Sequence, residues 1–578
     1  MTAKPEMKEP DLLERSEQFI RGVERSLAQR RLLSLGFKAC ITICFLCSTV
    51  LPQSVRPKSQ QVGQKAGDGE QPGARSTATP ASLNLAVAAL EKGELVEAER
   101  SARAAVAEVP RSPAAHNVLG VALDRLGRAD EALAEFSTAV KLDPSFIGAR
   151  NNIGRLLAGR GKKAEAIAEF ENILKIQPSH LQAHYNLGAL YAGEGDFGKA
   201  AEQFSQALRL APDDLQLELA FLNVAYRADR MAEADATAEI AERTVGSDPR
   251  GLFSLSTILA QSKQYERAVR LFLRLNDLQP HTYEVLYNLG IAYYNLDRNE
   301  DAARYLAEAC DLNPAPAETH FRLGLIASEQ SDHANAVLEF KHAIERRPQD
   351  ANFHYLLGRE YFRVGFWEGA INEFTQTIEV DPNQAPYYLA RADANYRKGE
   401  AAAAASDFDR AAQLDPKIEN VEYWQGYTYR AAGVFDVARK HLENFISKNP
   451  DHVDALASLG FVAIEQGDLD LAEGWLQRAL KIDRRNVVVL YDYARISFKR
   501  REYVEAAKRL EDLIAVSPAY TQAYYQLFLA YTRLKQSEKA QTALATFKRL
   551  DALERQTKQE RILDDKVRTQ QMLGLSPQ

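Results

Sequence analysis

Cysteine is scarce in this sequence, with only four residues among 578. Cys40, Cys44 and Cys47 fall in one apolar run, and Cys310 stands alone. A disulfide framework needs an even set of cysteines distributed over the fold that they cross-link. The sequence therefore excludes a disulfide-rich scaffold, and its cysteines do not indicate a redox compartment.

An excess of basic residues is also lacking. Lysine and arginine together number 72 against 79 aspartates and glutamates, so the formal net charge is −7 and the isoelectric point is near 5.9. Proteins that bind nucleic acid generally present a basic face to the phosphates. We therefore expect no nucleic-acid partner.

Residue groups that could carry chemistry are absent as well. The ten histidines do not form a set of three or four convergent metal ligands. The Gly159–Lys163 segment lacks the upstream glycine and the following hydroxyl residue of a phosphate-binding loop. No serine, cysteine or carboxylate constellation stands out. The sequence predicts no active site, no bound metal and no cofactor, so we expect a protein that is not an enzyme.

What the sequence does contain is a repeat with a period of 34 residues. A proline closes most of the repeats, and the gaps in its series are multiples of the same interval. These prolines are Pro110, Pro144, Pro178, Pro212, Pro280, Pro314, Pro348, Pro382, Pro416, Pro450 and Pro518. A glycine position follows the same period, at Gly120, Gly154, Gly188, Gly290, Gly324, Gly358, Gly426 and Gly460. A fixed period of this length predicts a stacked-repeat architecture.

An alanine position supports the period without exception. It lies twelve residues after each glycine position and is occupied at Ala98, Ala132, Ala166, Ala200, Ala234, Ala268, Ala302, Ala336, Ala370, Ala404, Ala438, Ala472, Ala506 and Ala540. Small residues at fixed positions let the backbones of two crossing helices approach closely. Large apolar residues such as Leu289 and Phe340 then fill the grooves between the helices.

One repeat reads Leu323–Gly324, Ala336, Phe340, Ala343 and Pro348. A leucine-glycine pair in a first helix A, alanine in a second helix B and a closing proline form the pattern of the tetratricopeptide repeat (TPR) family. The sequence resembles that family over about residues 81–550. The resemblance implies an all-α fold, a right-handed superhelical α-solenoid of about fourteen helix-turn-helix repeats. No segment shows the two-residue alternation of a β-strand.

Three segments precede the predicted repeats. Residues 1–31 form a charged leader, residues 32–52 are hydrophobic and residues 53–80 are rich in Gln, Gly, Ser, Pro and Ala. The last composition cannot bury a core and predicts a flexible, disordered linker. The hydrophobic segment predicts a helix ahead of that linker.

The apolar run Leu32–Leu51 has three interpretations. It just meets the length of about twenty residues that a membrane anchor needs, provided that Lys38 reaches toward the headgroups. A cleaved signal segment would need a small-residue cleavage site, which Pro52 and the residues after it do not supply. A buried helix is the third interpretation. Either of the first two predicts repeats outside the cytoplasm, membrane-anchored or exported after cleavage.

Two parts of the repeat region depart from the regular pattern. In residues 213–280 the glycine positions hold Leu222 and Ser256, and we interpret these units as degenerate or hinge-like, with ordinary repeat drift as the alternative. Residues 551–578 are densely charged. We expect them to form a capping helix or tail over the last apolar face, and a partner-binding tail is the alternative.

The family resemblance implies that ligands bind in a concave groove lined by helix A. Mapped onto this sequence, the lining positions of the later repeats hold tyrosine, phenylalanine and arginine, which are residue types common in binding hot spots. The candidate partner-binding residues are Tyr355, Arg359, Phe362, Arg363, Tyr396, Arg397, Tyr423, Tyr427 and Arg430. The arginines predict a peptide or protein ligand with acidic character. Packing between helices is the alternative role for the tyrosines.

Two functional classes fit these observations. The first is a non-catalytic protein–protein interaction scaffold, membrane-tethered or exported, that serves envelope assembly, secretion or polymer export. The second is a regulatory or substrate-recruiting subunit of an enzyme carried on another chain. The side of the membrane on which the repeats lie would separate them.

Overall fold

The computed structural model describes residues 80–572. Within this range the chain is entirely helical, with 28 α-helices, one short 3₁₀ helix and no strand. The predicted all-α fold is therefore confirmed for the repeat region. The charged leader, the hydrophobic segment, all of the linker before Pro80 and the last six residues of the predicted tail lie outside the described residues.

The described chain divides into two compact units. The first, residues 80–298, contains α1 (Ala81–Lys92), α2 (Leu95–Glu108), α3 (Pro113–Arg125), α4 (Ala129–Leu142), α5 (Ile147–Gly159), α6 (Lys163–Ile176), α7 (Leu181–Glu194), α8 (Phe197–Leu210), α9 (Leu215–Ala225), the 3₁₀ helix Tyr226–Ala228, α10 (Met231–Thr244), α11 (Pro249–Gln261), α12 (Tyr265–Leu278) and α13 (Tyr283–Tyr294). Throughout the chain the odd-numbered helices are A helices and the even-numbered ones are B helices.

The second unit covers residues 299–572. It contains α14 (Asn299–Leu312), α15 (Ala317–Glu329), α16 (His333–Arg346), α17 (Ala351–Arg363), α18 (Trp367–Val380), α19 (Ala385–Lys398), α20 (Ala401–Leu414), α21 (Val421–Ala431), α22 (Phe435–Lys448), α23 (Val453–Gln466), α24 (Leu469–Ile482), α25 (Val487–Lys499), α26 (Tyr503–Val516), α27 (Thr521–Arg533) and α28 (Ser537–Met572).

The turn from α23 to α24 shows how the sequence ends one helix and begins the next. Gly467 adopts φ +83°, the left-handed conformation that glycine enters without a steric penalty. The next residue, Asp468, accepts a hydrogen bond from the backbone N–H of Leu471 at 3.3 Å and so caps α24. The glycine and polar residue between helices A and B are thus a helix stop and a helix start.

The small residues of the repeat lie where helices A and B are closest. Thirteen of the fourteen alanines have no exposed surface, and Ala540 is 5% exposed. A Cβ atom on Gly154 would lie 2.7 Å from Cζ of Phe170, and one on Gly358 would lie 2.7 Å from Cε1 of Phe374. The glycine is required because a ring from helix B occupies the space of its missing side chain.

The first repeat of the irregular region keeps this packing by exchanging the sizes of the two partners. Leu222 takes the glycine position and is fully buried. Sixteen residues later, where most other repeats carry Phe or Leu, stands Ala238, which is also fully buried. Helices α9 and α10 therefore still pack as a pair, since a large residue on one faces a small residue on the other. The hinge interpretation of residues 213–280 stays a prediction.

At the C-terminal end, α28 runs without a break from Ser537 to Met572. Its first part is helix B of the last repeat, and its continuation is the charged segment that the sequence predicts as a cap or tail. Leu553, in that continuation, is 60% exposed. Among the helices of residues 80–572, none is both long enough and apolar enough to cross a membrane.

Candidate functional site

All nine candidate residues lie on A helices of the second unit. Helix α17 carries four of them, α19 carries two and α21 carries three. In order along the chain they are Tyr355, Arg359, Phe362 and Arg363, then Tyr396 and Arg397, then Tyr423, Tyr427 and Arg430. The regular stacking of the repeats thus places the candidates on three A helices separated by single B helices.

Three of the candidate rings are part of the core. Tyr355 is 4% exposed and packs against Tyr387 with ring centroids 5.2 Å apart. Tyr423 is 7% exposed and packs against Phe445 at 5.5 Å, and Tyr427 is 6% exposed and packs against Tyr423 at 5.9 Å. Burial raises the pKa of Tyr355 and of Tyr423 far above the ordinary value. The surfaces of these three tyrosines are largely covered by the chain itself.

The remaining rings alternate with guanidinium groups along the A helices. The guanidinium carbon of Arg397 lies 5.5 Å from the ring centre of Phe362 and 5.7 Å from that of Trp367. The hydroxyls of Tyr396 and Tyr427 are 3.1 Å apart, within hydrogen-bonding distance. These contacts connect α17, α19 and α21 into one continuous row.

Arg430, on α21, extends this row to the next A helix, α23. Its guanidinium carbon lies 4.7 Å from the ring centre of Tyr427 and 5.0 Å from that of Phe461. Such contacts are attractive because the faces of aromatic rings carry negative charge. The Nε atom is buried and has no hydrogen-bond partner among the described residues. Arg430 is thus positioned by two rings and has no carboxylate of residues 80–572 within ion-pair distance, although the charge of Asp492 on α25 acts on it from farther away.

Arg363 has a different environment. It donates through Nη1 to Oε1 of Glu360 at 2.7 Å, and Glu360 is only 1% exposed. The same carboxylate accepts from the hydroxyl of Ser328 at 2.7 Å and lies 2.7 Å from Nδ1 of His333. A buried carboxylate requires such partners. Arg363 therefore neutralises a charge of its own chain and ties α17 to α15 and α16.

Arg397 is also paired within the chain. Its Nε donates to the carboxylate of Asp393 at 3.2 Å, four residues earlier on α19. Arg359 is half-buried on α17. Of the three candidate arginines whose contacts are defined, Arg430 alone lacks an ion-pair partner in the described chain.

The model of the tetratricopeptide repeat family matches five stretches of the sequence, at residues 81–145, 151–214, 287–351, 355–417 and 423–486. Together they cover more than half of the chain. The chain belongs to the tetratricopeptide repeat family. The TPR resemblance of the sequence is therefore confirmed, and with it the coarse function of the family, a scaffold for protein interactions.

Solved structures that are similar to this TPR chain include that of MamA, with 23% identity, 28% of this chain and 95% of that chain covered, and a TM-score of 0.27. Another is the C-terminal part of a TPR repeat-containing protein from Cytophaga hutchinsonii, with 16% identity, coverage of 42% and 98%, and a TM-score of 0.35. Yeast Tom70 matches with 16% identity, coverage of 74% and 96%, and a TM-score of 0.27. No curated protein sequence matches the chain. The family assignment depends on the repeat matches and not on these structures.

Two residues of this row of contacts, Phe461 and Arg495, were not among the candidates predicted from the sequence. Phe461 on α23 is the second ring against Arg430, and Arg495 on α25 lies 5.3 Å from the centre of the same ring. Arg495 also pairs with the buried carboxylate of Asp492 at 2.7 Å. Both missed residues occupy the same lining position of consecutive repeats, nine residues into each unit. Applying the same lining positions to the next two repeats would have included both residues.

The described residues contain no group of histidine, cysteine, aspartate and glutamate side chains that could hold a metal ion. The row instead combines flat apolar area with one guanidinium that two rings hold in place. This chemistry suits recognition, because a planar guanidinium donates two parallel hydrogen bonds to a carboxylate.

Proposed function

We propose that this protein is a non-catalytic scaffold that binds an acidic segment of a partner protein along the A helices of its second unit. The ligand's carboxylate pairs with Arg430, and its apolar groups lie on the neighbouring rings. The contact row runs across α17, α19, α21, α23 and α25. An extended peptide or a partner helix can follow such a row over several repeats.

This proposal depends on the surroundings of the Arg430 guanidinium group. Its charge is held between Tyr427 and Phe461 and has no ion-pair partner in the described chain. Ring stacking fixes the guanidinium before a ligand arrives, so less side-chain freedom is lost on binding. Arginine and tyrosine in such settings dominate the energetics of protein interfaces.

The specificity of the site follows from its neighbours. Arg363 and Arg397 are already paired with Glu360 and Asp393, so they contribute surface and shape more than unsatisfied charge. Binding therefore depends mainly on one carboxylate of the ligand, the one that pairs with Arg430. A uniformly acidic ligand has no advantage over one with a single well-placed Asp or Glu between apolar residues.

An array of short peptides of varied Asp, Glu and aromatic content tests the proposal directly. Binding of the full-length protein is compared with that of Arg430→Ala, Arg430→Lys and a control, Lys440→Ala. Lys440 is exposed on α22 of the same repeat, so its removal changes the net charge equally without touching the row.

We expect Arg430→Ala to weaken binding of the selected acidic peptides by about 30-fold, which corresponds to roughly 2 kcal/mol for a hot-spot residue. The lysine variant keeps the charge but loses the planar stacking, so we expect most of that loss. Lys440→Ala should bind normally. Equal binding by all four proteins, or selection of peptides without carboxylates, would refute the proposal.

The tether is a separate part of the proposed function. We propose that Leu32–Leu51 anchors the chain in a membrane and that residues 53–80 hold the repeats away from it on the extracytoplasmic side. There the repeats would act in envelope assembly, secretion or polymer export. The support is the length and apolarity of the run. A reporter fused after residue 80 and assayed on each side of the membrane tests this. Activity in the cytoplasm would favour the alternative, a recruiting subunit for an enzyme on another chain.

A further inference from the structure

One position of the repeat, four residues before the glycine position, lies where one repeat meets the next. We call it the joint position. Its side chain bonds to the backbone carbonyl of the proline that closes the preceding repeat, six residues earlier. The residues that do so are His116, Arg150, His184, His320, His354, Tyr388 and Tyr524. Each ties the start of an A helix to the end of the B helix before it.

Arg150 shows what this position accommodates. Its Nε donates to the carbonyl of Pro144 at 2.8 Å, and its Nη1 donates to the carboxylate of Glu169 on α6, also at 2.8 Å. Both partners accept hydrogen bonds, and the side chain between them carries a permanent positive charge. The joint between α4, α5 and α6 is therefore held by a cation.

His354 makes the same two contacts with a titratable ring. Its Nε2 lies 2.9 Å from the carbonyl of Pro348, and its Nδ1 lies 2.7 Å from the carboxylate of Glu373 on α18. Neither partner has a proton to donate when Glu373 is ionised, so both ring nitrogens must carry one. A neutral imidazole carries only one such proton. The geometry is complete only for the imidazolium.

His116 repeats this arrangement in the first unit. Its Nε2 lies 3.1 Å from the carbonyl of Pro110, and its Nδ1 lies 2.7 Å from the carboxylate of Glu135 on α4. Both His116 and His354 are at least nine-tenths buried. Water therefore has little access to replace a contact that the ring loses.

The other two histidines have a second source of protons. His184 faces the side-chain amide of Gln203, which can present either its oxygen or its NH₂ group. His320 lies 2.7 Å from the carboxylate of Glu339 through Nδ1, as His354 does from Glu373, but the thiol of Cys310 is 3.4 Å from its Nε2. A thiol can donate a hydrogen bond to a neutral ring. These two joints can be satisfied without a charged imidazole, so they serve as internal comparisons.

The charges that act on His354 favour its protonated form. They are Glu373 on α18 and Asp350 in the turn before α17. The bond to Glu373 is the largest influence and raises the pKa of His354 above its ordinary value of 6.5, against the opposing effect of burial. At His116 the facing charge is Glu135 on α4.

We propose that protonation of His354 controls the contact between two consecutive repeats, which is tight when the ring is protonated and looser when it is deprotonated. Loss of the proton removes one of the two hydrogen bonds at this joint. The A helix α17 then opens more readily, whereas the joint held by the permanent charge of Arg150 does not respond.

The direction with pH follows from linkage. A group whose pKa is higher in the folded state stabilises the fold below its unfolded pKa and loses that contribution as the pH rises through the folded value. For His354 the stabilisation is fully present below about pH 6.5 and is lost as the pH rises through the higher pKa of the folded state. The opening equilibrium changes about tenfold for each pKa unit that separates the folded and unfolded states.

The test combines two measurements on the full chain. NMR of ¹⁵N-histidine-labelled protein follows the titration of each ring, and His354→Arg assigns the His354 signal by its disappearance. Hydrogen exchange, corrected for the intrinsic pH dependence of amide exchange, follows the opening of α5 and α17 at pH 6 and pH 8. Glu373→Gln recreates at this joint the His184–Gln203 pairing, and His354→Arg recreates the Arg150–Glu169 pairing.

We expect His354 to titrate above its ordinary value of 6.5. We also expect α17 to lose protection severalfold between pH 6 and pH 8, while α5, whose joint holds Arg150, keeps its protection. Glu373→Gln should lower the His354 midpoint, and His354→Arg should make the protection of α17 independent of pH. If a variant does not fold, the wild-type titration and exchange still decide. A His354 midpoint at or below 6.5, or equal protection of α17 at both pH values, overturns the proposal.

Discussion

Two glycines of one repeat give opposite predictions for the same substitution. Gly460 on α23 faces Leu476 of α24, and a Cβ atom there would lie 2.6 Å from the Cγ atom of that leucine. Leu476 has no exposed surface, so it cannot move aside without disturbing its other neighbours. Gly474, on α24 itself, is exposed, and a Cβ atom added to it would have no neighbour within 4 Å.

The magnitudes follow from these two environments. Alanine is favoured over glycine inside a helix by about 1 kcal/mol, so Gly474→Ala should stabilise the repeat by about that amount. Gly460→Ala has the same gain but adds an overpacking cost of about 1–3 kcal/mol. We therefore expect Gly460→Ala to be neutral or destabilising, and less stable than Gly474→Ala by about 1–3 kcal/mol.

Hydrogen exchange in α23 and α24 is the suitable assay, because repeats in an array open locally and do not unfold as one two-state unit. Leu476→Ala provides the second arm of a double-mutant cycle. In that background the contact is gone, so Gly460→Ala should become as stabilising as Gly474→Ala. Equal effects of the two glycine substitutions in the wild-type background would refute the close-approach argument.

Three further predictions concern other elements. Burial raises the pKa of Glu218, so the folded protein loses stability as the pH rises through that raised pKa. Glu218→Gln should therefore stabilise α9 and α10 by about 1–3 kcal/mol at pH 8. Amide exchange in these two helices should show the gain at pH 8 and not at pH 4. Asp468→Ala should cost about 1 kcal/mol by removing the cap of α24, seen as faster amide exchange there. Phe374→Ala should cost about 3–5 kcal/mol of local stability, measured by amide exchange in α17 and α18.

The repeat architecture could be predicted from sequence because it depends on spacing alone. The buried alanines and the glycines against B-helix rings are consequences of one period, visible without coordinates. A size exchange such as that of Leu222 and Ala238 breaks the expected residue type while keeping the packing, and so makes a well-packed helix pair look degenerate.

The candidate site could be predicted less completely from the sequence, because residue type does not fix the direction of a side chain. Tyr355 and Arg430 both occupy lining positions, yet the former packs on Tyr387 in the core and the latter lies between two rings near the surface. The pairing of Arg363 with Glu360 could be suspected from their spacing of three residues on one helix. Its extension to Ser328 and His333 depends on the packing of three helices.

The role of the row is tested most directly by photo-crosslinking in the cell. A photoreactive phenylalanine analogue replaces Phe461 in the row or, as a control, Val504, which is 71% exposed on α26. We predict that position 461 crosslinks a partner through a segment containing Asp or Glu, that Arg430→Ala abolishes the crosslink, and that position 504 gives none. Equal crosslinking at both positions, or a crosslink at position 461 that survives Arg430→Ala, would contradict the account.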